Sequence, residues 1–392
     1  MSTRPSLASR RSRTFGAALL IGALGISLLP APHVANAGDE TPTTGTWTIE
    51  SWTQRDDVPK FSLSLRWSRG SEHWGSRSVP LERVPGLDVA QLSAKPSSVH
   101  FEIPRDAGTF VCDGHVGHGE GAGIYELQLD PRYGDGLAKR GVGRPSREQQ
   151  VRLALSDMSF AFLDVLKEQR YPTPDVELLV KLANHGVDKE YVDGMGALGF
   201  KLDSFDELLK LRDHGVDPRY VQGMRDAGFK GLALDELLKL RDHGVDPRYI
   251  EGMRDAGFSG LSLEELLATR DHGVDPKYVQ AMKEFGFGRL TLEELVRARD
   301  HGVDARYAQA LTEAGYDGLS FEQLIHTRDQ GVDAKYIREM AAAGYKDVPL
   351  ADLVRARQHG VNAQVAKRIN ARLSRPATLD RLIEIHDRGG LN

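Results

Sequence analysis

The sequence predicts an α+β protein in two parts: an N-terminal antiparallel β-sandwich or small barrel, then an all-α solenoid of 29-residue helix-turn-helix repeats. Three observations carry this. The stretch Arg212-Asp213-His214-Gly215-Val216-Asp217-Pro218-Arg219-Tyr220 returns letter for letter 29 residues later, starting at Arg241. Its glycine recurs at the same interval as Gly186, Gly215, Gly244, Gly273, Gly302, Gly331 and Gly360, with a remnant at Gly389. A fixed period of this size marks a stacked array. Nearer the N-terminus the period is two, as in Phe61, Leu63, Leu65 and Trp67, which is the pattern of a half-buried strand.

In chain order, residues 1–37 read as a cleaved signal peptide. Arg4, Arg10, Arg11 and Arg13 precede an apolar run over about residues 15–29, and Ala35-Asn36-Ala37 places cleavage after Ala37. The run is short for a membrane span, so no integral membrane segment is expected once it is removed, and the location is periplasmic or secreted. Removing four arginines and no acid takes the formal charge from −5 to −9. An acidic chain with no basic cluster is a poor nucleic-acid binder. The single cysteine, Cys112, cannot form an internal bridge.

Residues 38–135 are assigned to the β domain. Trp47 and Ile49 begin the alternation, and further strands are expected over residues 61–67, 76–81, 99–103, 109–113 and 124–129, with turns at Arg69-Gly70-Ser71, Pro85-Gly86, Asp106-Ala107-Gly108 and the Gly-rich residues 114–123. Residues 136–170 read as a connector and a capping helix. Ser146-Arg147-Glu148-Gln149 has capping-box spacing, and the helix it opens is expected to run to about Gln169.

The array is assigned to residues 171–392. In its motif Gly215 suits the left-handed position that ends one helix, and Asp217-Pro218 is an N-cap with a pre-set first helical residue for the next. Val216 lies between, placed to pack on both. Leu234, Leu237 and Leu238 mark a first helix, A, while Tyr220, Val221 and Met224 mark a second, B, which stops at Gly228-Phe229. Ten-residue helices are not stable alone, so stacking must supply the stability.

The motif Arg-Asp-His-Gly-Val-Asp resembles a helical repeat found, behind an extracytoplasmic β segment, in tails of the metallopeptidase modules of beta-lactam sensor-transducer proteins. The resemblance implies an envelope location and a regulatory or binding role. It does not imply proteolysis, because no histidine here is followed by glutamate and the H-E-x-x-H zinc motif is absent.

Three constellations have alternative readings. His185, His214, His243, His272, His301 and His359 could form a metal or pH-sensing ladder, but one histidine per unit, about 10 Å from the next at ordinary helix spacing, suits helix C-termini better than a shared ion. The paired Arg and Asp of the motif fit inter-unit salt bridges or a recognition strip. Cys112, His115, His118 and Glu120 form the one local cluster with ligand chemistry, and they are weak metal candidates within a Gly-rich loop. No nucleophile elbow, P-loop or dinucleotide fingerprint occurs, so no catalytic residue and no cofactor are assigned. The expectation is a non-enzymatic, exported binding or scaffold protein of the bacterial envelope whose array engages a protein or peptide; the alternative is a metal-dependent enzyme or sensor built on residues 112–120.

Overall fold

The computed structural model describes residues 41–55, 58–67, 73–200, 202 and 204–389. The signal-peptide reading and the turn at Arg69-Gly70-Ser71 lie outside the described residues. Six strands, β1 (Thr44–Arg55), β2 (Val58–Trp67), β3 (His73–Pro80), β4 (Ser97–Arg105), β5 (Gly108–Gly117) and β6 (Glu120–Leu129), form one curled antiparallel sheet in the order β3-β2-β1-β6-β5-β4. It is a half-barrel with β3 and β4 as edges rather than two packed sheets. Its inner face buries Trp47, Phe61, Leu65, Trp67, Phe101, Phe110 and Leu127.

Residues 114–123 are strand, not loop, and Trp47 explains their glycines. The indole lies across β5 and β6, its Nε1 donating to the Ile124 carbonyl at 3.1 Å, and a Cβ on Gly123 would sit 2.7 Å from its ring. Only a two-residue turn remains, His118 at φ 54 and Gly119 at φ 86, both positive as a type I′ hairpin requires.

The array starts earlier than the glycine count implies. Directly after β6, Asp130 caps a helix at Pro131–Lys139, and Asp130-Pro131-Arg132-Tyr133 repeats Asp217-Pro218-Arg219-Tyr220 at three periods' distance. The helix expected over 146–169 is two, Arg147–Leu155 and Phe160–Glu168, each one period before Val176–Asn184 and Lys189–Ala197. The break was hidden because Asp157 at φ 57 stands where later units have Gly186, and Arg170 at φ 68 where they have Gly199. The expected connector is therefore one and a half units of the array.

From there A helices (Phe205–Asp213, Leu234–Asp242, Leu263–Asp271, Leu292–Asp300, Phe321–Asp329, Leu350–Gln358, Leu379–Asp387) alternate with B helices (Pro218–Asp226, Pro247–Asp255, Pro276–Met282, Ala305–Glu313, Ala334–Ala342, Ala363–Asn370). Each turn glycine has positive φ, such as Gly244 at 72. The next valine donates its N–H back into the outgoing helix, Val245 N to Leu240 O at 2.8 Å, and buries its side chain completely. Aspartate N-caps accept from the third residue of each B helix, Asp246 Oδ1 from Tyr249 N at 2.8 Å.

The sheet is locked to the first units through the β4–β5 turn. Arg105 Nη1 donates to the Ala154 and Leu155 carbonyls, each at 2.6 Å, at the end of an A helix. Asp106 caps the following B helix through Phe160 N at 2.7 Å, and Gln150 Nε2 donates to Ala107 O and Asp130 O.

Backbone strain yields opposite outcomes at the two kinds of turn, A-to-B at Gly244 and B-to-A at Arg170. Gly244→Val places a β-branched residue at positive φ with its Cβ 3.2 Å from Arg270 Nε, and should destabilise by about 1–3 kcal/mol. Arg170→Gly removes a strained non-glycine and should stabilise by about 1 kcal/mol. Chemical denaturation of both variants checks this; equal midpoints would show that the turns are not conformationally constrained.

Candidate functional site

The A-to-B turns line up along one edge of the array, and three sets of contacts consume nearly every residue of the motif. In the first, the phenol of six B helices donates across to the next unit's turn: Tyr191 to Val216 O at 3.1 Å, Tyr220 to Val245 O at 3.0 Å, and Tyr249, Tyr278, Tyr307 and Tyr336 to Val274, Val303, Val332 and Val361, each at 2.8 Å, while Phe162 and Val365 hold the position without a hydroxyl. Tyr133 makes the same bond to Met158 O at 2.6 Å, which confirms the early start of the array.

In the second, the motif arginine lies over the preceding unit's tyrosine ring, as Arg241 does 4.9 Å from the Tyr220 centroid and Arg328 4.8 Å from that of Tyr307. The same guanidinium covers the turn glycine. The arginines are therefore not in salt bridges with the motif aspartates.

In the third, the aspartate pairs with the preceding unit's histidine. Nδ1 of His185, His214, His243, His272, His301 and His359 stands 2.5, 2.6, 2.5, 2.6, 2.7 and 2.8 Å from Asp213, Asp242, Asp271, Asp300, Asp329 and Asp387. A carboxylate only accepts, so Nδ1 carries the proton. The sequence had signalled this pairing. Where the histidine position holds Ser156 or Gln330, the residue 28 later is Asn184 or Gln358 instead of aspartate. A parallel rule links B helices: Gly194, Gly223 and Gly252 face Pro218, Pro247 and Pro276, where a Cβ at Gly223 would come 2.6 Å from Pro247. Where Pro gives way to Ala305 and Ala334, the facing residues are Ala281 and Ala310.

In the sheet, the four metal candidates are not brought together. Strand alternation turns Cys112 into the core, fully buried, while His115, His118 and Glu120 are exposed. Burial, reinforced by the Asp113 charge, pushes the Cys112 thiol up to about 12, so it is a thiol and not a thiolate at neutral pH. His115 Nε2 lies 3.3 Å from Ser98 Oγ, and His100 pairs with Asp113 at 2.9 Å. Among the described residues no three His, Cys, Asp or Glu side chains converge on a point that could hold a metal.

Two outcomes follow for the rungs. A double-mutant cycle of His243→Ala with Asp271→Asn should give a coupling of about 0.5 kcal/mol, because both groups are substantially exposed. Gln330→His should gain comparable stability only when combined with Gln358→Asp; gain in the single variant would contradict a paired rung. The tyrosines set an alkaline limit. Burial raises the Tyr336 phenol to about 12 from an ordinary 10, against the opposing pull of Arg357, and raises Tyr191, Tyr220, Tyr249, Tyr278 and Tyr307 as well. The folded state holds the proton more tightly, so this contribution is complete below pH 10 and is lost as pH rises toward 12. Thermal melts should fall steeply over that window; a flat profile would place the phenols outside the core.

No protein-family model matches the chain, and a search of curated proteins finds no matching relative.

Proposed function

We propose that this chain is an exported, non-enzymatic binding or scaffold protein of the bacterial cell envelope whose helical array engages a protein or peptide partner. The observation that supports it is an exposed cation that recurs along the B helices and takes no part in the stacking contacts. Between the proline or alanine and the tyrosine of successive B helices stand Arg219, Arg248, Lys277, Arg306 and Lys335, all exposed. Among the described residues the first four have no ion-pair partner, and Lys335 reaches Glu339 only at 3.9 Å.

A cation in the first turn of a helix opposes the helix dipole by about 0.3–1 kcal/mol. Stability therefore does not explain its recurrence over five units, whereas a repeated contact to a partner does. The N-terminal arginines, apolar run and Ala35-Asn36-Ala37 support export.

The test is affinity capture from an envelope extract with the full chain and with a variant carrying glutamine at all five positions. The variant should melt no lower than the parent and lose the captured partner. Equal recovery by both would remove this row from the binding surface, and recovery of nothing by the parent would remove the binding role.

A further inference from the structure

The opposite edge of the array, where B helices turn into A helices, carries one aromatic residue per unit: Phe200, Phe229, Phe258, Phe287, Tyr316 and Tyr345. The two tyrosines bond across to a later loop. Tyr316 Oη donates to Val348 O at 2.6 Å and Tyr345 Oη to Ala377 O at 2.8 Å, each tying its ring to the loop 32 residues on. Phe229 lacks the hydroxyl. The carbonyl at the equivalent place belongs to Leu261, and among the described residues no side chain donates to it.

A cleft of about 240 Å³ opens at this place, lined by Phe229, Ile250, Arg254, Phe258, Leu261 and Leu266 among others. That is below the range of about 300–1,000 Å³ usual for small-molecule and cofactor sites, and it matches one large side chain. Its walls are aromatic and its floor aliphatic. At the rim, Arg254 spends one N–H on Ala227 O at 2.9 Å and is otherwise exposed, with Asp255 as its neighbour in the helix and Asp226 held by Gln222. Arg225 and Lys283, its equivalents in adjacent units, lie over Phe200 and Phe258, each at 5.7 Å; Arg254 makes no such contact with Phe229 among the described residues.

We propose that this cleft binds the carboxyl-terminal residue of a partner polypeptide, an aromatic or large aliphatic one, and this rests on the binding role proposed above. The apolar side chain fills the space between Phe229 and Phe258. The terminal carboxylate pairs with Arg254, and a backbone N–H of the peptide donates to Leu261 O. One ligand end thus supplies the three complements that the cleft presents.

Phe229→Tyr tests this without endangering the fold, because it installs the hydroxyl that Tyr316 and Tyr345 carry at the same position, placed to bond to Leu261 O across the cleft. The probes are the pentapeptide Ac-GSGSF with a free carboxyl end and the same peptide amidated, titrated into the full chain by NMR or calorimetry. The free-acid peptide should bind at least tenfold more tightly than the amide. Phe229→Tyr should raise the melting temperature and weaken the acid peptide at least tenfold, and Arg254→Gln should abolish the preference for acid over amide. Equal binding of the two peptides, no binding of either, or undiminished binding by a stabilised Phe229→Tyr variant would each overturn the assignment. Partner capture through the Arg219 row is read separately, so failure of the cleft and failure of the binding role are told apart.

Discussion

The bond from each buried phenol to the valine carbonyl of the next turn is the contact on which the array depends. The nine-residue helices are too short to persist alone, and each positive-φ turn leaves a carbonyl inside an apolar interface. The tyrosine satisfies that carbonyl from the neighbouring unit, so a unit is complete only when the preceding one is in place. The arginine then covers the ring from outside, and the histidine and aspartate join at the surface. Burial, hydrogen bonding and charge all act between the same two neighbours, which is what makes the assembly one-dimensional.

Much of this was legible in the sequence, and the parts that were not have identifiable causes. The period, the caps and the helix identities follow from glycine, aspartate and leucine placement. The partnership of His214 with Asp242 was also present, as the joint loss of both types at Ser156/Asn184 and Gln330/Gln358, but it appears only when residues 28 apart are compared. The first one and a half units escaped because Asp157 and Arg170 hold positive φ without glycine, a conformation that the surrounding packing imposes and composition does not announce. Cys112 and His115 looked like one cluster because both carry metal-ligand chemistry three residues apart, in a stretch whose glycines read as a loop. The glycines instead make room for Trp47, and the strand they form sends the two side chains to opposite faces.

The candidate surfaces differ in legibility for the same reason. The exposed cation row was visible as letters but acquired significance only when the tyrosine, arginine, aspartate and histidine beside it had been assigned to stacking. The cleft lies beside Phe229, at the position where Tyr316 and Tyr345 further along the chain carry a hydroxyl bonded to the next loop. Internal repetition thus acts as its own control: the same backbone appears with and without a given side chain.

The direct passage from β6 into the Pro131–Lys139 helix has a consequence for synthesis. Because the chain is made N-terminal end first, the residues of the half-barrel and its β4–β5 hairpin are available before those of the later repeats. Arg105 then offers a cap to the end of the Arg147–Leu155 helix, and Asp106 one to the start of the Phe160–Glu168 helix. The sheet thus gives the solenoid a template at one end, as a seed does for a growing crystal, while the far end has none among the described residues.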